Sequence, residues 1–150
     1  MRWIATFFLA GYSPVAPGTA GTLGGLLIYL GMVYLKIGCL SQGLIIAGLF
    51  FIGVISAGKM ENLLKIKDPP CVVIDEVVGF LITMWGLPLS LRVVVIGFIL
   101  NRVLDIWKPF PAKESQRLTG GWGIMVDDAI SSFYANIIIR GLLLLGLQSG

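Results

Sequence analysis

Residues 36–59 read KIGCLSQGLIIAGLFFIGVISAGK, and the 22 positions between Lys36 and Lys59 carry no charge. As a helix such a stretch extends about 33 Å, enough to cross the roughly 30 Å hydrocarbon core of a bilayer. The rest of the 150 residues follow suit: 57% are hydrophobic, 13% are charged, and mean hydropathy is +0.93. Working outward from 37–58, a first apolar run covers about 23–35. A third begins after Glu76, a fourth ends near Asp105 with Gly86-Leu87-Pro88 as the break between them, and a fifth covers roughly 129–147. The expected architecture is therefore all-α: one domain over residues 1–150, built as a compact polytopic membrane bundle of four to five short transmembrane helices. A dense soluble bundle is the other reading, but so small a domain has little interior for this much apolar surface. Met1-Arg2-Trp3 gives a basic start, yet the Gly/Pro-rich residues 11–21 follow too soon for a cleaved leader.

Charge gives the expected orientation. Lys59, Lys65 and Lys67 fall in the link between the second and third runs, and Lys108, Lys113 and Arg117 between the fourth and fifth. The positive-inside tendency makes that side cytoplasmic. All eight acidic residues lie in or beside the same two links, so only one membrane face can host ionic chemistry. Trp3, Trp107 and Trp122 suit that interface and Trp85 the opposite one. Cys39 and Cys71 match no metal spacing and read as buried thiols.

Five of the acids form three clusters: Asp75-Glu76, Asp105 and Asp127-Asp128. Four carboxylates at mid-bilayer would cost about 10 kcal/mol, comparable to a domain's net stability, so they must be shielded, near water or useful. A divalent cation is the strongest partner for such a group. In Val72-Val73-Ile74-Asp75-Glu76-Val77-Val78-Gly79, one acid would satisfy a helix dipole, whereas two inside such apolar flanks favour metal binding. In Arg102-Val103-Leu104-Asp105-Ile106-Trp107-Lys108-Pro109, Arg102 and Asp105 share a helix face and Lys108 continues the spacing before Pro109 stops the helix. Either an intrahelical ion pair or a phosphate clamp fits that pattern.

Thr119-Gly120-Gly121-Trp122-Gly123-Ile124-Met125-Val126-Asp127-Asp128 reads as a flexible lead-in with paired aspartates opening an apolar helix. From there Asp128, Ser132, Asn136 and Arg140 draw a four-residue polar stripe, which either extends a site into the membrane or satisfies interhelical hydrogen bonds. The Gly/Pro turn over residues 11–22, with Gly18, Thr19 and Thr22, can present backbone N–H groups to an anion at a helix start. Its plain alternative is a threonine N-cap.

Absences narrow the chemistry. No histidine excludes imidazole bases and Ser-His-Asp hydrolysis, and neither cysteine opens a Cys-x5-Arg loop. Oxygen donors alone select Mg²⁺, with Mn²⁺ or Ca²⁺ as substitutes, over zinc or copper. No basic stripe for nucleic acid exists.

Ser13-Pro14-Val15-Ala16-Pro17-Gly18-Thr19, Ile74-Asp75-Glu76-Val77-Val78-Gly79, the Arg102 to Pro109 segment and Gly121-Trp122-Gly123-Ile124-Met125-Val126-Asp127-Asp128 resemble, in order and spacing, four signature blocks of the phosphatidylglycerophosphatase A family. Departures are Thr22 for serine, Asn101 for an aromatic residue, and Ser131-Ser132 for a small Ala-Gly pair. The resemblance implies a bacterial inner-membrane, Mg²⁺-dependent phosphatase that converts phosphatidylglycerophosphate to phosphatidylglycerol and phosphate, multi-pass, with its site facing the cytoplasm. Combined with the residue reading, it assigns Asp75, Glu76, Asp127 and Asp128 to metal, with Asp105 joining them in catalysis. Arg102, Lys108, Gly18, Thr19 and Thr22 would hold phosphate. Water and an aspartyl phosphate both stand as routes for the displacement. The partners implied are the phospholipid substrate and the bilayer, with no oligomeric state specified. A small transporter would place such acids at mid-span rather than at helix starts, and a lipid phosphotransferase would carry a different aspartate spacing.

Overall fold

In a computed structural model that describes residues 1–14 and 16–146, the chain is helical, with no strand among the described residues. The helices are α1 (Arg2–Ala5), α2 (Pro17–Tyr34), α3 (Cys39–Leu64), α4 (Ile74–Met84), α5 (Leu91–Trp107), α6 (Ala112–Ser115) and α7 (Gly121–Leu144). A 3-10 turn, Ala10–Tyr12, precedes α2. Val15 of the first signature block and Leu147 of the fifth run lie outside the described residues.

The architecture turns on α4. Ten of its eleven residues are buried, from Ile74 to Met84 with Asp75 alone half-buried. At about 16 Å it is too short to cross a bilayer, so it serves as the core around which α2, α3, α5 and α7 stand. Glycines let α2 approach it. A Cβ on Gly21 would lie 2.8 Å from the Val73 carbonyl oxygen, and one on Gly25 would lie 2.7 Å from that of Val77. The same device seats α7 on α3, where Gly121 meets the backbone of Val54 and Gly58.

Buried backbone ends must be paired, and the polar stripe on α7 does this for the end of α4. Asn136 Nδ2 reaches the carbonyls of Ile82 (3.2 Å), Thr83 (2.8 Å) and Trp85 (3.0 Å), while Arg140 Nη2 donates to Trp85 O at 2.8 Å. Ser132 Oγ and Thr83 Oγ1 both donate to Asn101 Oδ1, at 2.9 and 2.8 Å. Below Asp128 the stripe thus joins helices together.

The expectation of four to five spans requires correction at this level. Among the described helices only α3 is long and apolar enough to cross a membrane by length and composition. The third run became the short enclosed α4, α5 is 17 residues long with Arg92 and Asp105 near its two ends, and α7 carries Asp127, Asp128 and Arg140 within it. Asp127 and Asp128 lie in the second turn of α7, not at its start. Cys39 is exposed and Cys71 half-buried, so neither is a core thiol.

The α2–α4 contact gives a clear test. Gly25→Val should lower the detergent-solubilised melting temperature, since overpacking typically costs about 1–3 kcal/mol. Gly31→Ala, where a Cβ meets open space, should leave it unchanged.

Candidate active site

The start of α4, the end of α5 and the second turn of α7 converge with the start of α2 and the loop before α4. They enclose a cavity of about 460 Å³ whose lining includes Gly18, Asp68, Asp75, Glu76, Arg102, Asp105, Lys108 and Asp128. Carboxylate oxygens of Glu76, Asp105 and Asp128 all lie within 4.8 Å of one another. Three distant stretches of chain are therefore brought to one point.

Two cations thread this cluster. Arg102 Nη1 pairs with Glu76 Oε2 and, at 3.2 Å, with Asp105 Oδ2. Lys108 Nζ pairs with Asp127 Oδ2 and lies 3.8 Å from Asp105 and 3.9 Å from Asp128. Lys108 takes a left-handed backbone conformation as the cap of α5, which turns it back toward α7 before Pro109. Burial alone would lower its pKa, but the Asp127 hydrogen bond and the charges of Asp128 and Asp105 outweigh that and raise it. It stays protonated across physiological pH.

Five carboxylates line the cavity, Asp68, Asp75, Glu76, Asp105 and Asp128, against the two cationic side chains of Arg102 and Lys108, an excess of three negative charges when all are ionised. Burial, then the neighbouring Glu76, pushes the Asp75 carboxyl well above the usual range, and its Oδ1 has no hydrogen-bond partner. Burial and the charge of Asp75 do the same to Asp128. An oxygen-only donor set, crowded enough to resist ionisation and with one buried oxygen orphaned, fits a hard divalent cation.

The predicted site residues do not all face this cavity. Asp127 turns from it, accepting from Lys108 and from Gln116 Nε2 at 2.9 Å, and lines a second cavity of about 330 Å³ with Glu61, Lys67 and Asp68. Gly18 borders the cluster closely: its missing Cβ would lie 2.9 Å from Arg102 Nη1. Thr22 is buried beneath, its hydroxyl donating to Gly18 O at 3.0 Å and reaching Glu76 Oε2 at 3.5 Å, and Thr19 is not among the residues lining the cavity. No threonine caps α2; Ala16 holds that position with Pro17 behind it.

Sequence reasoning missed Asp68 and Gln116. Asp68 lines both cavities from a left-handed turn, and partial burial raises its carboxyl against the opposing charge of Lys108. The one signal was Lys67-Asp68-Pro69-Pro70, a charged, rigid turn just ahead of α4.

A family profile described as phosphatidylglycerophosphatase A matches residues 3–143. The chain belongs to that family. Its relatives include phosphatidylglycerophosphatase A of Escherichia coli, 34% identical over 142 residues (93% of this chain, 79% of that protein). The Haemophilus influenzae protein of the same name is 34% identical over 139 residues (91% and 84%). A Bacteroides thetaiotaomicron protein provisionally named as a phosphatidylinositol-3-phosphatase is 36% identical over 142 residues (91% and 89%). No solved structure matches the chain.

The raised carboxyls carry a sign. An acid whose folded-state pKa exceeds its unfolded value, about 3.9 for aspartate, destabilises the fold when ionised, and the penalty is relieved as pH falls through the folded value. Cation-free protein should therefore melt higher near about pH 5 than near about pH 8, while Lys108 contributes equally at both. A saturating divalent cation should shrink that difference; scanning calorimetry with and without chelator measures it.

Proposed function

We propose that the protein is a membrane-embedded phosphatase dependent on a divalent cation, Mg²⁺ by donor chemistry, that hydrolyses the terminal phosphomonoester of phosphatidylglycerophosphate. The observation carrying this reading is the convergence of Glu76, Asp105 and Asp128 beside Arg102 in one cavity, in a chain of the phosphatidylglycerophosphatase A family.

Glu76, Asp105 and Asp128 would hold the cation, with Asp75 beside them. When bound, it supplies charge neutralisation and polarises the phosphoryl oxygens. Arg102 and Lys108 grip those oxygens, Arg102 with a planar fork suited to two at once. The bare Gly18 leaves room for phosphate. The N–H groups of Gly18 and Thr19 add donors there, preceding the first intrahelical bond, Ala20 N–H to Ala16 O at 3.2 Å. Thr19 thus acts through its backbone and Thr22 by bracing Glu76. Asp127, with Gln116, holds Lys108 in place. Asp75, whose buried Oδ1 has no partner, takes the proton of the attacking water once the bound cation has favoured its ionised form.

The membrane reading rests on the outward faces. Leu27 (69% exposed), Leu44 (68%), Val103 (50%) and Ile137 (61%) come from four different helices, an apolar belt that would drive aggregation in water. On this reading α2, α3, α5 and α7 face lipid around the enclosed α4. The site sits at the inner-leaflet headgroup level, ahead of the hydrocarbon segments that begin after Glu76 in α4 and after Asp128 in α7. The basic residues of both links share that end.

Purified protein should release phosphate from phosphatidylglycerophosphate with Mg²⁺ and lose that activity on chelation. Asp128→Asn and Glu76→Gln should each lower kcat about a hundredfold or more while leaving the fold intact by circular dichroism. Phosphatidylinositol 3-phosphate belongs in the same assay, given the name of the Bacteroides relative. Its preferential hydrolysis would reassign the substrate, and full activity in either variant would refute the site.

A further inference from the structure

Around the buried α4, the packing of one described helix on the next is weakest at one seam. α3 packs on α7 and α7 on α5, while the N-terminal segment closes the space between α2 and α3, with Phe7 against Gly24, α1 against α3, and the 3-10 turn against α2. Between α5 and α2 there is no comparable packing; the two approach at Gly18 and Arg102, at the mouth of the phosphate cavity. At the far end Tyr29 OH donates to Leu87 O at 3.1 Å, tying α2 to the α4–α5 connection. From Gly18 to Tyr29 the seam runs about 16 Å along α2.

Helical geometry says what walls it. Asn101 faces α7, through Ser132, and Arg102, one position on, faces Glu76 of α4. The next stripe around α5, Val95, Ile99 and Ile106, therefore lies on the side away from α7, toward α2. On α2, Gly24 faces the N-terminal segment and Gly25 faces α4, which leaves Leu23 and Leu30 turned the other way. All five side chains are apolar and exposed. Ile106 also lines the phosphate cavity, so the apolar track is continuous with the ionic site.

A cavity with Arg102 and Lys108 at one end, and an exposed apolar track leading from it along the outside of the bundle between α2 and α5, matches an amphiphile: phosphate inside, hydrocarbon alongside. We infer that the α2–α5 seam is the acyl-chain subsite and the lateral route of substrate access, receiving a chain of the diacyl lipid whose headgroup occupies the cavity. This rests on the phosphatase reading for the identity of the headgroup. The comparably apolar cavity between α3 and α7, lined by Phe50, Trp85 and Phe133 among others, shares no residue with the phosphate cavity and is not the route.

The test uses wild-type protein in phosphatidylethanolamine–phosphatidylglycerol vesicles containing phosphatidylglycerophosphate with a diazirine midway along one acyl chain. Photolysis and peptide mass spectrometry should place cross-links on α2 and α5, around Leu23, Leu30, Val95 and Ile99, and unlabelled substrate should compete them away. Cross-links spread over α3 and α7, or not competed, would overturn the inference. Independently, Ile99→Trp, which fills the seam, should lower the preference in kcat/KM for the long-chain substrate over its dihexanoyl analogue about tenfold. Leu44→Trp, on the outer face of α3, should leave that preference unaltered. An unchanged preference in Ile99→Trp sinks the proposal. Wild-type phosphate release is scored separately: its absence, with competed cross-links in the seam, removes the phosphatase reading and leaves the lipid site standing.

Discussion

Enclosing a short helix on all sides is the constraint from which the rest of this fold follows. The eleven residues of α4 have almost no surface of their own, so both backbone ends must be satisfied by neighbouring helices. The carbonyl end is met by cationic and amide groups on α7, Asn136 and Arg140. The amide end is different. Val73 N–H donates to Ala5 O at 2.9 Å, and beyond it the partial positive charge of the helix start points into the cavity. Acids gathered there are stabilised by the dipole, and so is an anion that arrives later. The polarity of one buried helix therefore decides which end of the bundle can do ionic chemistry.

Charge balance sets the second layer. With five carboxylates against Arg102 and Lys108, the cavity repels a dianionic phosphomonoester to the extent that those acids are ionised. The two basic side chains are spent on holding the acids: Arg102 bridges α4 and α5, and Lys108 bridges α5 and α7. A divalent cation on the carboxylates would do for the acids what Arg102 and Lys108 do now, leaving those two groups free to face phosphate. The same residues can thus hold the fold together and, on the proposed reading, bind substrate, and on that reading a need for a cation would follow from electrostatics.

Much of the site was legible in the sequence because charged residues are scarce in it. Each cluster stood out against aliphatic flanks, and the three-residue spacing of Arg102, Asp105 and Lys108 read correctly as one face. What could not be read was the depth of each helix. Periodicity and hydropathy treat 77–84 as one more apolar run, whereas its enclosure depends on glycines at 21 and 25 in another helix. The start of α7 was misplaced for a related reason. Gly120, Gly121 and Gly123 look like a flexible lead-in, yet Gly121 and Gly123 are helical, and Gly121 is bare because Val54 and Gly58 press against it. That error put Asp127 and Asp128 at a helix start, where both could face the same way. Inside a helix adjacent residues diverge by about 100°, which is why Asp128 enters the cluster while Asp127 braces Lys108.

The departures from the family pattern acquire a physical meaning from the same geometry. Asn101 and Ser132, which stand out separately along the chain, touch in space, and Thr83 completes the contact from α4. The cluster ties α4, α5 and α7 together directly beneath Arg102 and Asp128, at a level where an aromatic side chain and a small residue could instead pack by size. A hydroxyl at position 132 would be an unpaired buried donor beside an aromatic 101, and an amide at 101 would lose a partner beside a glycine 132. Buried polar groups that lack partners cost about 1–3 kcal/mol each, so the two positions constrain one another. Here a hydrogen-bonded solution fixes the register of α5 against α7, and with it the approach of Asp105 to Asp128 in the acidic cluster.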